Sequence, residues 1–172
     1  MALDDPIEPF PADVDREAFG HWLSGFTDGE GSFGLYLHRW SATQQTRGYS
    51  ARFTIALRAD DLPALQLIRS FWGCGRLGTD KQQRLPRGKP SAVLILTRIA
   101  DLCSAVIPHF ERYPLRAKKA RDFVIWRQGV ELIRHVTSRK RRDRVKWLPE
   151  HHEEFVRLAG ELRQSREFRM PE

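Results

Sequence analysis

The chain of 172 residues has room for one domain with an appendage, but not for two ordinary domains. Its 29 lysines and arginines against 22 acids give a net charge of +7, and 41% hydrophobic residues exclude a basic disordered tail. Two cysteines exclude a disulfide framework; no stretch approaches the roughly 18 apolar residues of a membrane span, and the acidic, proline-broken N-terminus is unlike a secretory leader.

Charge is unevenly placed: residues 1–30 hold one base, Arg16, and eight acids, whereas residues 31–172 hold 28 bases and 14 acids. Pro6, Pro9 and Pro11 make residues 1–13 a loose acidic arm. Asp13 or Asp15 then caps a helix whose apolar positions Phe19, Trp22, Leu23 and Phe26 recur at helical spacing. It ends in Thr27-Asp28-Gly29-Glu30-Gly31, where two glycines supply unusual backbone angles. Alternation predicts a strand with Phe33, Leu35 and Leu37 on one face and Tyr36, His38 and Trp40 on the other. A second strand over 50–58 completes a hairpin, with Ala51, Phe53, Ile55 and Leu57 inward. Asp60 or Asp61 caps the next helix, with Pro63 in its first turn. Gly73 to Gly78 turns into a short strand, the loop Lys81 to Pro90 leads to a strand at Ser91–Thr97, and helices follow over Ala100–Phe110 and Leu115–His135. The order implies an α+β fold, an antiparallel sheet with helices on one face. Its other face displays Tyr36, His38, Arg52, Thr54, Arg58 and Arg76, and with Arg39 at the end of the first strand these are the candidate DNA contacts.

Residues 137–147 form a basic linker with Arg139, Lys140, Arg141, Arg142, Arg144 and Lys146 against Asp143. A last amphipathic helix from Pro149 to about Arg166 places Phe155, Leu158, Ala159 and Leu162 on one face. The divisions are therefore an arm at 1–13, a main domain at 14–136, and a linker with a C-terminal helix at 137–172.

Leu23 to Phe33 carries the chemistry. Gly20, Ser24 and Asp28, and likewise Gly25 and Gly29, are small residues at four-residue spacing, which lets another helix approach. Asp28 and Glu30 stand at the helix C-terminus, where the macrodipole disfavours negative charge, so a cation is expected. Oxygen donors with turn carbonyls suit Mg²⁺.

Leu23-Ser24-Gly25-Phe26-Thr27-Asp28-Gly29-Glu30-Gly31, with Trp22 before it and Ser32-Phe33 after it, resembles the signature of the LAGLIDADG homing endonucleases. Phe53 to Ile68, Phe71 to Gly75 and His109 to Lys119 are similar to further segments of that family, so the resemblance covers about residues 18–135. It implies a sheet saddle on duplex DNA and metal-dependent cleavage at a long, near-palindromic site, with Mg²⁺ or Mn²⁺ as cofactor. By residue, it implies Glu30 and the Gly29 carbonyl at the metal, Asp28 in support, and Lys119, with Lys118 as the alternative, stabilising charge. Many members carry a polar group, often Gln, on the second strand; Leu57 stands there, so that role passes to Arg58 or is absent. One signature supplies one acid, so a homodimer through Gly20, Ser24, Gly25 and Asp28 is expected. Arg139 and Arg141 join the DNA face, the tail adding affinity more than chemistry.

The alternatives are an RNA maturase assisting intron splicing and a non-cleaving DNA-binding regulator of the same fold. An EF-hand fails, because the sixth loop position is Phe33 and the twelfth Arg39. Gly73, Gly75 and Gly78 match a dinucleotide fingerprint in letters only, following a helix and entering a strand. His151 and His152 lack the spacing of a zinc site. Arginine outnumbers lysine 23 to 6, pointing to a GC-rich bacterial genome and a cytoplasmic protein, with an organelle as the alternative.

Overall fold

Asp15 opens the first helix, its carboxylate accepting from the backbone N–H groups of Glu17 at 2.8 Å and Ala18 at 3.2 Å. The structure, a computed structural model, describes residues 2–3, 6–39, 47–80, 90–137 and 147–165. The elements are β1 (Ala2–Leu3), α1 (Arg16–Glu30), β2 (Gly31–Arg39), β3 (Arg47–Arg58), α2 (Leu62–Trp72), β4 (Arg76–Asp80), β5 (Ser91–Leu96), α3 (Ile99–Asp101), α4 (Ile107–Arg112), α5 (Lys119–Thr137) and α6 (Pro149–Gln164). Strand order is β1-β4-β5-β3-β2. Among the described residues no helix is long and apolar enough to cross a membrane. The chain divides into two compact units, Met1–Ser32 with Phe53–Ala117, and Phe33–Arg52 with Lys118–Glu172.

In the first unit β5 pairs antiparallel with both β3 and β4, so Thr54, Ile95 and Arg76 share one row and Arg58 and Ser91 another. This parity is the open face of the sheet. The other parity brings Phe53, Ile55, Ala92, Leu94, Leu96 and Leu77 to 0–2% exposure beneath α2 and α4, with Leu65, Ile68 and Phe110. Gly73 ends α2 at φ +66°, and Gly75 at φ +104° turns the chain into β4, left-handed conformations that favour glycine. Pro108 withholds a backbone donor, and Leu102–Val106 takes one π-type turn before α4, a break absent from the expected uniform helix.

The arm is less loose than its composition suggests. Phe10 packs on Phe19 and Phe71 with ring centroids 5.1 and 5.2 Å apart, Arg16 lies over Phe10 and Phe71, and Ala2–Leu3 pairs with β4. One aromatic ring among the acids is enough to seat it.

In the second unit Phe33 of β2 meets Trp126 at 5.1 Å and Phe123 at 5.8 Å, both on the buried face of α5. A Cβ at Gly129 would lie 2.6 Å from Leu35, so glycine there lets α5 approach the strand. Phe155, Leu158 and Leu162 of α6 are 0–3% exposed, and the Ser165 hydroxyl donates to Asp122 of α5. Helix α5 starts at Lys119, later than the expected Leu115.

Candidate functional site

Helix α1 has two faces, and they do different work. On the inner stripe Glu17 accepts from the Tyr113 hydroxyl at 2.9 Å and from Arg112 at 2.6 Å. The Tyr113 bond, with Arg112 beside it, holds the Glu17 carboxyl below the usual carboxylate range. A Cβ at Gly20 would lie 2.5 Å from the Tyr113 ring. Ser24 donates to the Tyr113 carbonyl at 2.6 Å. Asp28 accepts from the backbone N–H groups of Arg116 at 2.8 Å and Ala117 at 3.1 Å. Residues 17, 20, 24 and 28 thus fasten α1 to the segment after α4. This corrects the dimer assignment of Gly20, Ser24 and Asp28: Gly20 and Ser24 are buried within the chain, and Asp28 is engaged by its backbone. Four-residue spacing allowed a close partner, and the partner is the same chain.

The outer stripe is Trp22, Gly25, Phe26 and Gly29. Trp22 is 44% exposed and stacks on half-buried Phe26 at 4.9 Å, so the apolar spacing of α1 covers more than its buried face. A Cβ at Gly25 or Gly29 meets nothing within 4 Å. Of the four residues assigned to a dimer interface, Gly25 alone lies on this open face. The signature glycines do not supply unusual backbone angles either: Gly29 is helical, and Gly31 lies at φ −73°. Gly31 is required by proximity instead, since a Cβ there would sit 2.4 Å from the Thr27 methyl.

Glu30, the last residue of α1, is exposed, and the final turn contains no basic residue. Its carboxylate therefore stands at the negative end of a helix dipole, beside the carbonyls of the final turn. Hard oxygen donors in a negative field fit a divalent cation. Among the described residues no cluster of three His, Cys, Asp or Glu side chains forms. Lys119 opens α5, directly after Lys118.

On the open face of the ribbon formed by β2 and the first half of β3, the Arg52 guanidinium lies 4.9 Å over the Tyr36 ring, and His38 bonds Ser50 at 2.7 Å. The Tyr36 ring itself covers Gly34, where a Cβ would lie 2.5 Å away. In the first unit Thr54, Arg58 and Arg76 occupy the open parity, but Arg58 is already paired with both carboxylate oxygens of Asp60. Leu57 falls on the covered parity opposite Ala92. Arg139 and Arg141 lie outside the described residues, as do Trp40 and residues 81–89; of Arg39 only the backbone is described.

Sequence reasoning missed the anchor of the inner stripe. His109 is 5% exposed amid Phe71, Trp72, Phe110 and Tyr113, and burial lowers its imidazole to about 4. Since Ser24 gives its hydrogen to Tyr113, its oxygen accepts from His109 Nε2 at 3.3 Å, leaving Nδ1 without a hydrogen-bond partner. A neutral ring suits that cage. Between pH 6.5 and 4 the unfolded chain binds a proton that the folded chain refuses, so stability is full above pH 6.5 and falls as pH drops toward 4. The loss is of order 3 kcal/mol. Urea melts across this range should show the slope, and a His109→Gln variant should flatten it. The segment from His109 to Tyr113 was a legible motif, but only contacts give it this role.

The model of the LAGLIDADG endonucleases matches residues 23–130. The chain belongs to the LAGLIDADG endonuclease family. It is 27% identical over 123 residues to the probable intron-encoded endonuclease 2 of Neurospora crassa, covering 70% of this chain and 24% of that protein. It is 32% identical over 113 residues to the probable intron-encoded endonuclease 3 of the same fungus, covering 65% and 20%. Among solved structures it is similar to the I-SmaMI LAGLIDADG homing endonuclease bound to cleaved DNA, with TM-score 0.70, 24% identity, and 86% and 45% of the two chains covered. It also resembles the I-LtrWI LAGLIDADG homing endonuclease bound to target DNA, with TM-score 0.69, 18% identity, and 90% and 46% covered. The α+β fold expected from the sequence is the fold of these structures. The chain spans less than half of each of these structures and about a quarter or less of the curated relatives. Those relatives are fungal, so the bacterial origin expected from arginine usage finds no support.

Proposed function

We propose that the protein cleaves both strands of duplex DNA at a long, near-palindromic site, as a homodimer joined through the outer stripe of α1 and dependent on Mg²⁺ or Mn²⁺. The observation that carries this reading is Glu30: an exposed carboxylate at the C-terminal end of the signature helix, beside the open surface of Gly25 and Gly29. Two such helices in twofold contact would bring two acids together, one for each strand. Glu30 and the Gly29 carbonyl would hold the cation, with Asp28 keeping the turn in place from within. A cation held there would supply Lewis-acid activation of water and phosphate and charge stabilisation at the leaving 3′ oxygen. The Lys119 ammonium offsets negative charge developing on the phosphate, Lys118 being the alternative.

Recognition falls to the open sheet face and to the bases of the tail. A two-stranded ribbon fits the major groove, where an arginine reads guanine through a bidentate pair. Arg52, pre-set over Tyr36, suits that role better than Arg58, whose fork is occupied by Asp60. Arg52→Ala should relax preference at defined, symmetry-related positions, at about 1 to 3 kcal/mol of lost discrimination, whereas Arg58→Ala should weaken all sequences alike. Sequencing the ends cut from a randomised duplex library in Mg²⁺ tests the whole reading. A recurrent site opened on both strands is expected; a library left intact rejects it.

A further inference from the structure

The family match ends at residue 130, yet the chain continues into α6, and α6 reaches the recognition ribbon. The Trp147 indole stacks on the Tyr49 ring with centroids 3.5 Å apart and planes at 19°. Phe155 of α6 meets the same ring edge-on at 5.0 Å, and the Tyr49 hydroxyl is bonded to His152 Nδ1 at 2.9 Å. Trp147 is held in turn by perpendicular contacts with His151 at 6.2 Å and Phe155 at 6.0 Å. The platform is anchored: Phe155, Leu158 and Leu162 are buried and Ser165 ties α6 to Asp122 of α5.

Tyr49 belongs to β3. The next residue, Ser50, holds His38, and Arg52, three residues on, lies over Tyr36. Successive side chains of a strand alternate between faces, so Tyr49 shares parity with buried Ala51, whereas Ser50 and Arg52 point to the open face. Holding Tyr49 on the covered side therefore fixes the direction of the polar row on the other. A two-stranded ribbon alone is marginally stable in water and needs a helix beneath it to keep one form. Side chains that read bases gain selectivity by being fixed before binding.

We propose that Trp147 and α6 are positioning elements for sequence recognition: by clamping Tyr49 they hold the ribbon in the form that sets site preference, separately from any phosphate affinity of the basic tail. This rests on the function proposed above.

The test compares binding of the full chain to its preferred duplex, selected from a random pool, with binding to an unrelated duplex, both in EDTA so that neither is cut. Trp147→Ala should lower the preference about tenfold, as expected when a base-reading group loses its fixed geometry. Affinity for unrelated DNA should stay unchanged, and the amides of residues 49–52 should exchange faster. Trp147→Tyr, which keeps a stacking ring, should restore most of the preference. An unchanged preference, or a parallel fall in both affinities, overturns the inference. Should Trp147→Ala fail to fold, Tyr49→Phe decides: it keeps the stack, deletes the hydroxyl bonded to His152, and should lower preference about threefold. No change there overturns the clamp. A wild-type chain with no preferred sequence overturns site-specific function and this inference together. A wild-type preference that Trp147→Ala retains overturns the clamp alone.

Discussion

Glu30→Gln should lower the cleavage rate by about a thousandfold or more while leaving DNA binding within about tenfold. The amide has the size of the carboxylate and lacks its charge, so the variant removes a hard anionic ligand and little else. Glu30 is exposed at the end of α1, outside the hydrogen bonds that fasten the inner stripe, so folding stability should move by no more than roughly 0.5 kcal/mol. Removal of a negative charge from the C-terminal end of a helix can even favour the fold slightly. Single-turnover cleavage and gel-shift titration on the same duplex separate the two effects. A variant that cuts at the native rate in Mg²⁺ shows that the essential acid lies elsewhere, and a variant that neither binds nor cuts shows that Glu30 serves DNA contact.

Gly25→Leu should break the proposed dimer while leaving each chain folded. A side chain there meets nothing within 4 Å of its Cβ in the same chain, and leucine is a better helix former than glycine by up to about 1 kcal/mol. In a close helix pair the same side chain overpacks, at about 1 to 3 kcal/mol per helix. Since two copies enter each dimer, the dissociation constant should rise by roughly 30-fold or more, and double-strand cleavage should fall with it. Sedimentation equilibrium reads the association and thermal melting reads the fold. Gly20→Ala makes the opposite case: its methyl would press on the Tyr113 ring, so it should destabilise the chain by about 1 to 3 kcal/mol and leave association intact. If Gly25→Leu sediments as a native dimer, the subunits meet through another surface.

Much of the fold is legible in residue order. The signature from Leu23 to Gly31, a helix cap at Asp13 or Asp15, the alternation of Ala51, Phe53 and Ile55 against Arg52 and Thr54, and the apolar stripe of α6 are local patterns, and each stands in the structure where residue order puts it, with Asp15 as the cap. Family membership follows from the same local information, since a contiguous motif with its flanks is carried by order alone. What lay beyond reach was the partner of each face. Spacing marks Gly20, Ser24 and Asp28 as positions for close approach, but it is silent on whether Tyr113 and the Arg116–Ala117 backbone or a second chain fills the gap. Those residues lie about ninety positions away. Trp22 and Phe26 carry the same ambiguity, because hydrophobic periodicity counts apolar residues on a helix without saying which of two apolar faces the chain itself covers. The imidazole of His109 and the stack of Trp147 on Tyr49 are likewise products of distant segments meeting. Residue order determined most of the elements and the family, and it singles out Glu30 as the acid of the proposed function. Tertiary packing alone decided which side of the signature helix is spent inside the chain and which is left open, because that choice depends on contacts between residues far apart in sequence.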